Sequence, residues 1–194
     1  MRSVVRIILF LISAVFFLWI FNENVPVAGI KNILYTFGTP SGSVTQLRPM
    51  ARLAESGKEG AISYQKIIED PVYFDIRTPI AYDTIAVEML YKNQSLRTVG
   101  LGIKQYPTQT EFFITPFVPL SEQEGWTVAR AEISLKNIQR MPGKYSLSLS
   151  FPGLAYHPNV NEYVLVSRAQ IVLQRKPLTL EDIRRYMHTF FTKK

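Results

Sequence analysis

Residues 144–151 read KYSLSLSF. In an extended chain Tyr145, Leu147, Leu149 and Phe151 fall on one side and Ser146, Ser148 and Ser150 on the other, whereas a helix would scatter the four apolar residues around its cylinder. Residues 84–92, TIAVEMLYK, repeat the pattern, setting Ile85, Val87, Met89 and Tyr91 against Ala86, Glu88, Leu90 and Lys92. Both segments read as half-buried strands, and the expected core is Ile85, Val87, Met89, Leu147, Leu149 and Phe151. Working outward, further strands are expected at 61–68, 72–77, 98–104, 111–117, 126–135 and 163–174, with one more at 30–37. Breakers separate them: GTPSG at 38–42, Asp70-Pro71, Thr78-Pro79, KNQ at 92–94, MPG at 141–143 and Pro152-Gly153. Short strands at this spacing predict an all-β sandwich or barrel. Residues 47–60, LRPMARLAESGKEG, keep neither period and read as a polar loop with room for one helical turn.

The N-terminus has a different texture. Residues 7–21, IILFLISAVFFLWIF, contain one polar side chain, Ser13, and no charge. With Val4 and Val5, and Arg6 reaching its head to the interface, the run approaches the roughly 20 residues a helix needs to cross a bilayer. Its apolar residues leave no polar face for a soluble helix, and Trp19 suits an interfacial position. Arg2 and Arg6 precede the run while Asn22, Glu23 and Asn24 follow it, so the N-terminus is expected in the cytoplasm and the rest of the chain outside. A cleavable signal peptide shares these features, but no A-x-A pattern follows Phe21, which favours an uncleaved anchor.

Across 194 residues there are 22 Lys and Arg, 15 Asp and Glu, two His and no Cys, with 47% hydrophobic and 19% charged residues. That composition excludes a disulfide framework, a thiolate nucleophile and a Cys-based metal site. His157 and His188 stand in no metal-ligand spacing, no P-loop or nucleotide-binding glycine motif is present, and no metal or other cofactor is expected. The net charge of +7 is uneven: residues 7–173 hold 14 basic and 13 acidic side chains, and the excess lies in Arg2, Arg6 and the 174–194 segment. A nucleic-acid reader carries a basic stripe on its folded body, so no nucleic-acid partner is expected.

A resemblance adds to this. The run GKYSLSLSFPGL at 143–154, followed by VLVSRAQIVLQRKP at 164–177, looks like the last two strands of galactose-binding-domain-like, carbohydrate-binding-module-like jelly rolls. The segment DPVYFDIRTP at 70–79, then TIAVEMLYK, resembles their early strands. Over residues 61–176 the resemblance implies a jelly-roll β-sandwich and a non-catalytic binding role. No ligand motif aligns residue by residue, so no binding residue is carried over.

Carbohydrate-binding sandwiches offer exposed aromatic faces with a few polar groups, and Trp126, Tyr106, Tyr82, Tyr156 and His157 are the candidates in or beside expected loops. Trp126 also opens an expected strand, where core packing is the commoner role. Asp75 alternates with Phe74 and Ile76; buried on the other face, it should pair with a donor such as Arg77. Glu69, Asp70, Asp75, Asp83 and Glu88 read better as turn caps and a solvated strand face than as an acid/base pair, so no catalytic residue is expected.

Residues 178–194, LTLEDIRRYMHTFFTKK, have a helical period. Thr179 can cap the start with Asp182 three residues on, and Phe190, Phe191, Lys193 and Lys194 would meet a lipid surface or a membrane partner. The chain thus divides into a cytoplasmic 1–6, an anchor at 7–24, a linker and first strand at 25–60, a sandwich at 61–176 and an amphipathic basic helix at 177–194. The expected function is a single-pass, membrane-anchored, extracytoplasmic sandwich that binds a ligand, such as a glycan, or a protein partner at the cell surface. The alternative is a non-catalytic accessory or structural subunit of a membrane protein complex.

Overall fold

The computed structural model describes residues 2–24, 26, 28–95, 97–104, 112–155, 162–179, 181, 182 and 184. The apolar N-terminal run is helical, forming α1 (Arg2–Asn24). Its side chains are described over residues 5–16, and Ile7, Ile8, Leu9, Phe10, Leu11 and Ile12 are all exposed. Six consecutive exposed apolar residues point in every direction around a helix, so no single face is packed on the body. Among the described residues no helix is long and apolar enough to cross a membrane.

The rest is antiparallel β-structure, and the expected strands form where the alternation placed them. In chain order they are β1 (Ile30–Thr36), β2 (Gly57–Glu59), β3 (Ile62–Ile67), β4 (Val72–Arg77), β5 (Thr84–Asn93), β6 (Gly100–Lys104), β7 (Phe112–Pro116), β8 (Val118–Gln123), β9 (Trp126–Ser134), β10 (Lys144–Ser150) and β11 (Val164–Gln174). The larger sheet runs β2-β3-β11-β5-β9-β8, and the smaller runs β4-β10-β6-β7. β11 holds two strands along one edge, β3 against Val164, Leu165 and Val166, and β1 against residues 168–174. Setting aside β1, β2 and β8, four strands, β3-β11-β5-β9, stand beside β4-β10-β6-β7, the two-sheet arrangement of an eight-stranded jelly roll.

The core follows the alternation. Ile85, Val87 and Met89 of β5, Leu147 and Leu149 of β10, and Phe151 just beyond it are fully buried in one apolar cluster that both sheets supply. Residues 47–60 include a single 3-10 turn at Met50–Arg52, as expected, and also β2, which was not.

The second unexpected strand is β8. Glu124 (φ 54°) and Gly125 (φ 76°) both take left-handed backbone, making the two-residue turn that folds residues 118–123 back on β9. Pro119 sits on this outer edge, where a missing N–H costs no ladder bond, and the register shifts between Pro119 and Ser121.

Both ends of the body's chain meet at one end of the sandwich. The Arg175 N–H donates to the Gly29 carbonyl at 2.8 Å, so α1 connects to the body beside the point where β11 ends. Leu178 packs on the core there. Thr179 and Asp182 form the expected reciprocal cap, the Asp182 N–H donating to the Thr179 hydroxyl (3.2 Å) while the Thr179 N–H donates to the Asp182 carboxylate (3.1 Å). Glu181, Asp182 and Arg184 are helical. Phe190, Phe191, Lys193 and Lys194 lie outside the described residues.

Candidate ligand-binding face

The outer face of the smaller sheet is where this sequence departs from an ordinary solvated strand surface. β4 reads VYFDIR, turning Val72, Phe74 and Ile76 into the core and Tyr73, Asp75 and Arg77 outward. On β10 the outward residues are Lys144, Ser146, Ser148 and Ser150, and on β6 Gly100, Gly102 and Lys104. Ser148 stands in register with Tyr73 on one side and Gly102 on the other. These small residues leave a shallow floor between larger neighbours.

Two aromatic rings close over that floor. Tyr73, from β4, and Phe112, at the start of β7, stack with centroids 5.2 Å apart and planes 27° from parallel. Phe112 lies on Gly102, where an added Cβ would collide with the Ser148 hydroxyl and come within 3.2 Å of the Phe112 Cβ. Gly102 therefore sets the depth of the floor. Ser148 is consequently buried although it faces away from the core, and Ser150 on the same face is buried too. Both rings remain partly exposed. Stacked rings covering small polar residues give an apolar surface with hydroxyl groups at its base.

Beside the rings lies a charged cluster. Asp75 is buried, and its carboxylate accepts hydrogen bonds from Arg48 Nη2 (2.7 Å), Lys144 Nζ (2.8 Å) and Ser146 Oγ (2.7 Å). The segment carrying Arg48 runs along the free edge of β4, with Arg48 bridged to Tyr73 and Val44 to Ile76. The Asp75 N–H donates to Thr45 Oγ1 at 2.8 Å. Burial on its own would raise the Asp75 pKa and is the largest single influence. The hydrogen bonds from Lys144 and Ser146 and the charges of Arg48 and Lys144 together outweigh it and hold the carboxyl below its ordinary value. The donor expected from sequence, Arg77, is not the one used: Arg77 is exposed at the end of β4, and Asp75 is met by Arg48 from the segment along the edge of β4 and by Lys144 from β10.

The candidates read from sequence are placed differently. Trp126 is buried at the start of β9, its ring 6.3 Å from that of Tyr64. Tyr82 is buried in the β4–β5 connection, where its N–H donates to the Tyr145 hydroxyl at 2.9 Å. Burial pushes both tyrosine hydroxyls up. Neither Trp126 nor Tyr82 has a ring face open for stacking, because each fills the interior the sandwich needs to cover. Tyr106, Tyr156 and His157 lie outside the described residues. Sequence reasoning missed Tyr73 and Phe112; the signal available for Tyr73 was the alternation of β4, which sets it opposite Phe74.

No protein-family model matches the chain, and no curated protein does. Among solved structures it is similar to the CBM22-1 xylan-binding domain of Paenibacillus barcinonensis Xyn10C, at 9% identity and a TM-score of 0.38 over 74% of this chain and 94% of that one. It is similar also to the CBM6cm-2 module of Cellvibrio mixtus lichenase 5A in complex with cellotriose, at 9% identity and a TM-score of 0.36, covering 62% and 86% of the two chains. A third is a CBM4 structure, at 13% identity and a TM-score of 0.36, covering 79% and 98%. Among the described residues, no three His, Cys, Asp or Glu side chains come together in a way that could hold a metal ion.

Proposed function

We propose that this chain is a single-pass membrane protein whose extracytoplasmic jelly roll binds carbohydrate on the Tyr73–Phe112 face, without catalysis. The observation that carries the reading is the stacked ring pair over Ser148 and Gly102, beside half-exposed Arg48 and partly exposed Lys144. A sugar has an apolar C–H face and a rim of hydroxyls; the rings meet the first and the cationic donors the second. The test is titration of the full chain in detergent with β-linked oligosaccharides of glucose, xylose and galactose. Binding should weaken about three- to tenfold in Tyr73→Leu and in Phe112→Leu, the range expected for losing one stacked ring. Binding unchanged in both variants would remove the face from consideration.

The anchor in this reading is supported by the uncharged, apolar run at 7–21 of the sequence. Alkaline carbonate should leave the full chain in the membrane pellet and release a chain lacking residues 2–24; release of both would refute the anchor.

A second reading, an accessory subunit of a membrane complex, has its own support. Phe113 and Ile114 of β7 and Val118 and Leu120 of β8, the outer strands of the smaller and the larger sheet, are all exposed. Exposed apolar residues on outer strands suit a protein neighbour. Oligosaccharide titrations showing no binding by the wild-type chain would favour it.

A further inference from the structure

Charge along the chain is balanced over residues 7–173, yet the fold sorts it by position. At the end where α1 joins the body, Asp83, Lys136, Arg140, Arg175 and Lys176 line one open cleft together with residues 79–81. Lys104 approaches Arg140 around Met141, and Arg77 stands opposite Lys144 beside the Thr78–Gly143 hydrogen bond. The opposite end carries Glu69, Asp70, Glu122, Glu124 and Glu162, and charges there are paired within the body: Glu69 with Arg52, Glu162 with Arg97, and Lys92, against which Gly125 of the β8–β9 turn lies, with Glu59.

The basic end is not neutralised by the body. Among the described residues, none of Arg77, Lys104, Lys136, Arg140, Arg175 and Lys176 forms an ion pair. The Asp83 carboxylate is occupied by the Lys176 backbone N–H at 3.1 Å. Arg140 spends its guanidinium on the carbonyls of Thr78 and Pro79, which fixes the position of its charge. Lys104, Lys136 and Lys176 are exposed.

We propose that this basic end of the sandwich rests on the phosphates of anionic lipids in the membrane that its own helix enters. The inference depends on the anchor reading above. Four residues separate Asn24 from Gly29, a reach of at most about 17 Å, so the end bearing Gly29 stays close to the bilayer surface, within the range where anionic lipid attracts Lys and Arg. The end bearing Glu122 and Glu162 then faces away. Such docking fixes how the Tyr73–Phe112 face is presented, with the sheet standing roughly upright from the membrane.

The chain has no Cys, so one introduced thiol is one label. Full chain is placed in nanodiscs of neutral phosphatidylcholine, or of the same lipid with phosphatidylglycerol, and a donor dye at Asn137→Cys or Gln123→Cys reports energy transfer to a headgroup acceptor. In anionic discs the label at 137 should lie close to the headgroups and the label at 123 far from them. The difference should shrink in neutral discs and in high salt. Lys104→Glu, Lys136→Glu and Lys176→Glu together should reduce the docked population by about fivefold for each charge removed. Equal transfer at 137 in neutral and anionic discs, or no response to charge reversal, overturns lipid contact while the anchor stands. A chain that carbonate strips from the discs overturns the anchor and the docking with it.

Discussion

Leu147→Ala is expected to cost about 2–5 kcal/mol, toward the upper part of the range seen for buried Leu truncations. Leu147 stands in register with Phe74 on β4 and Ile103 on β6, and all three are fully buried. Both flanking backbones are tied into the sheet, so neighbours cannot close the void without giving up ladder bonds, and a cavity remains. Against a typical total stability of about 5–15 kcal/mol this single change removes a large share. Ser148→Ala, one residue on, should cost no more than about 1 kcal/mol, since it removes a hydroxyl but leaves the Tyr73–Phe112 cover in place. Denaturant unfolding of both variants, followed by circular dichroism, checks the contrast. Equal losses would mean that β10 does not present Leu147 to the core.

The core was legible because burial on one face of a strand is written in period two. The burial of Ile85, Val87, Met89, Leu147 and Leu149 needs nothing beyond alternation and an apolar interior. β8 was less legible. Its sequence, VPLSEQ, has a proline within the strand, and the turn that creates it, Glu124-Gly125, lacks the Asn or Asp that usually marks such a turn. β2 is three residues long and has no alternation to read. The opposite face of β10 shows a subtler limit. A run of serines reads as solvated, yet Ser148 is buried where rings from β4 and β7 meet above it, and that depends on cross-strand register.

The same limit governs the site. Aromatic residues near expected loops were natural candidates for a binding surface, but Trp126 and Tyr82 lie where strand ends turn inward and are absorbed by the core. Tyr73 looked like one member of a strand, and only the pairing of β4 with β10, β6 and β7 brings it to Phe112, 39 positions away. Asp75 was correctly expected on the face opposite Phe74 and Ile76. Its partners were not, because Arg48 arrives on a segment with no strand pattern of its own.

Asp75→Asn is expected to destabilise the body by about 2–3 kcal/mol at neutral pH. The estimate sits below the roughly 3–5 kcal/mol for breaking a fully buried pair. The reason is exposure: the Asp75 side chain is 4% exposed, but those of Arg48 and Lys144 are 53% and 33% exposed and can turn to water when their partner is lost. The pH dependence carries the more specific test. The folded-state pKa of Asp75 is depressed, so its stabilisation is fully present above the unfolded-state value of about 3.9 and is lost as pH falls through the folded value. Melting temperatures of wild type and Asp75→Asn should therefore differ by a constant amount from pH 7 down to about pH 5 and converge as the solution is acidified below about pH 4. A gap that stays constant down to pH 2 would mean that Asp75 is not held as a carboxylate by Arg48 and Lys144. Convergence would instead identify an ion cluster that pins the edge segment to β4. Because Arg48 is bridged to Tyr73, the same acidification should loosen the ring pair, and oligosaccharide affinity should fall over the same pH interval as the stability gap closes.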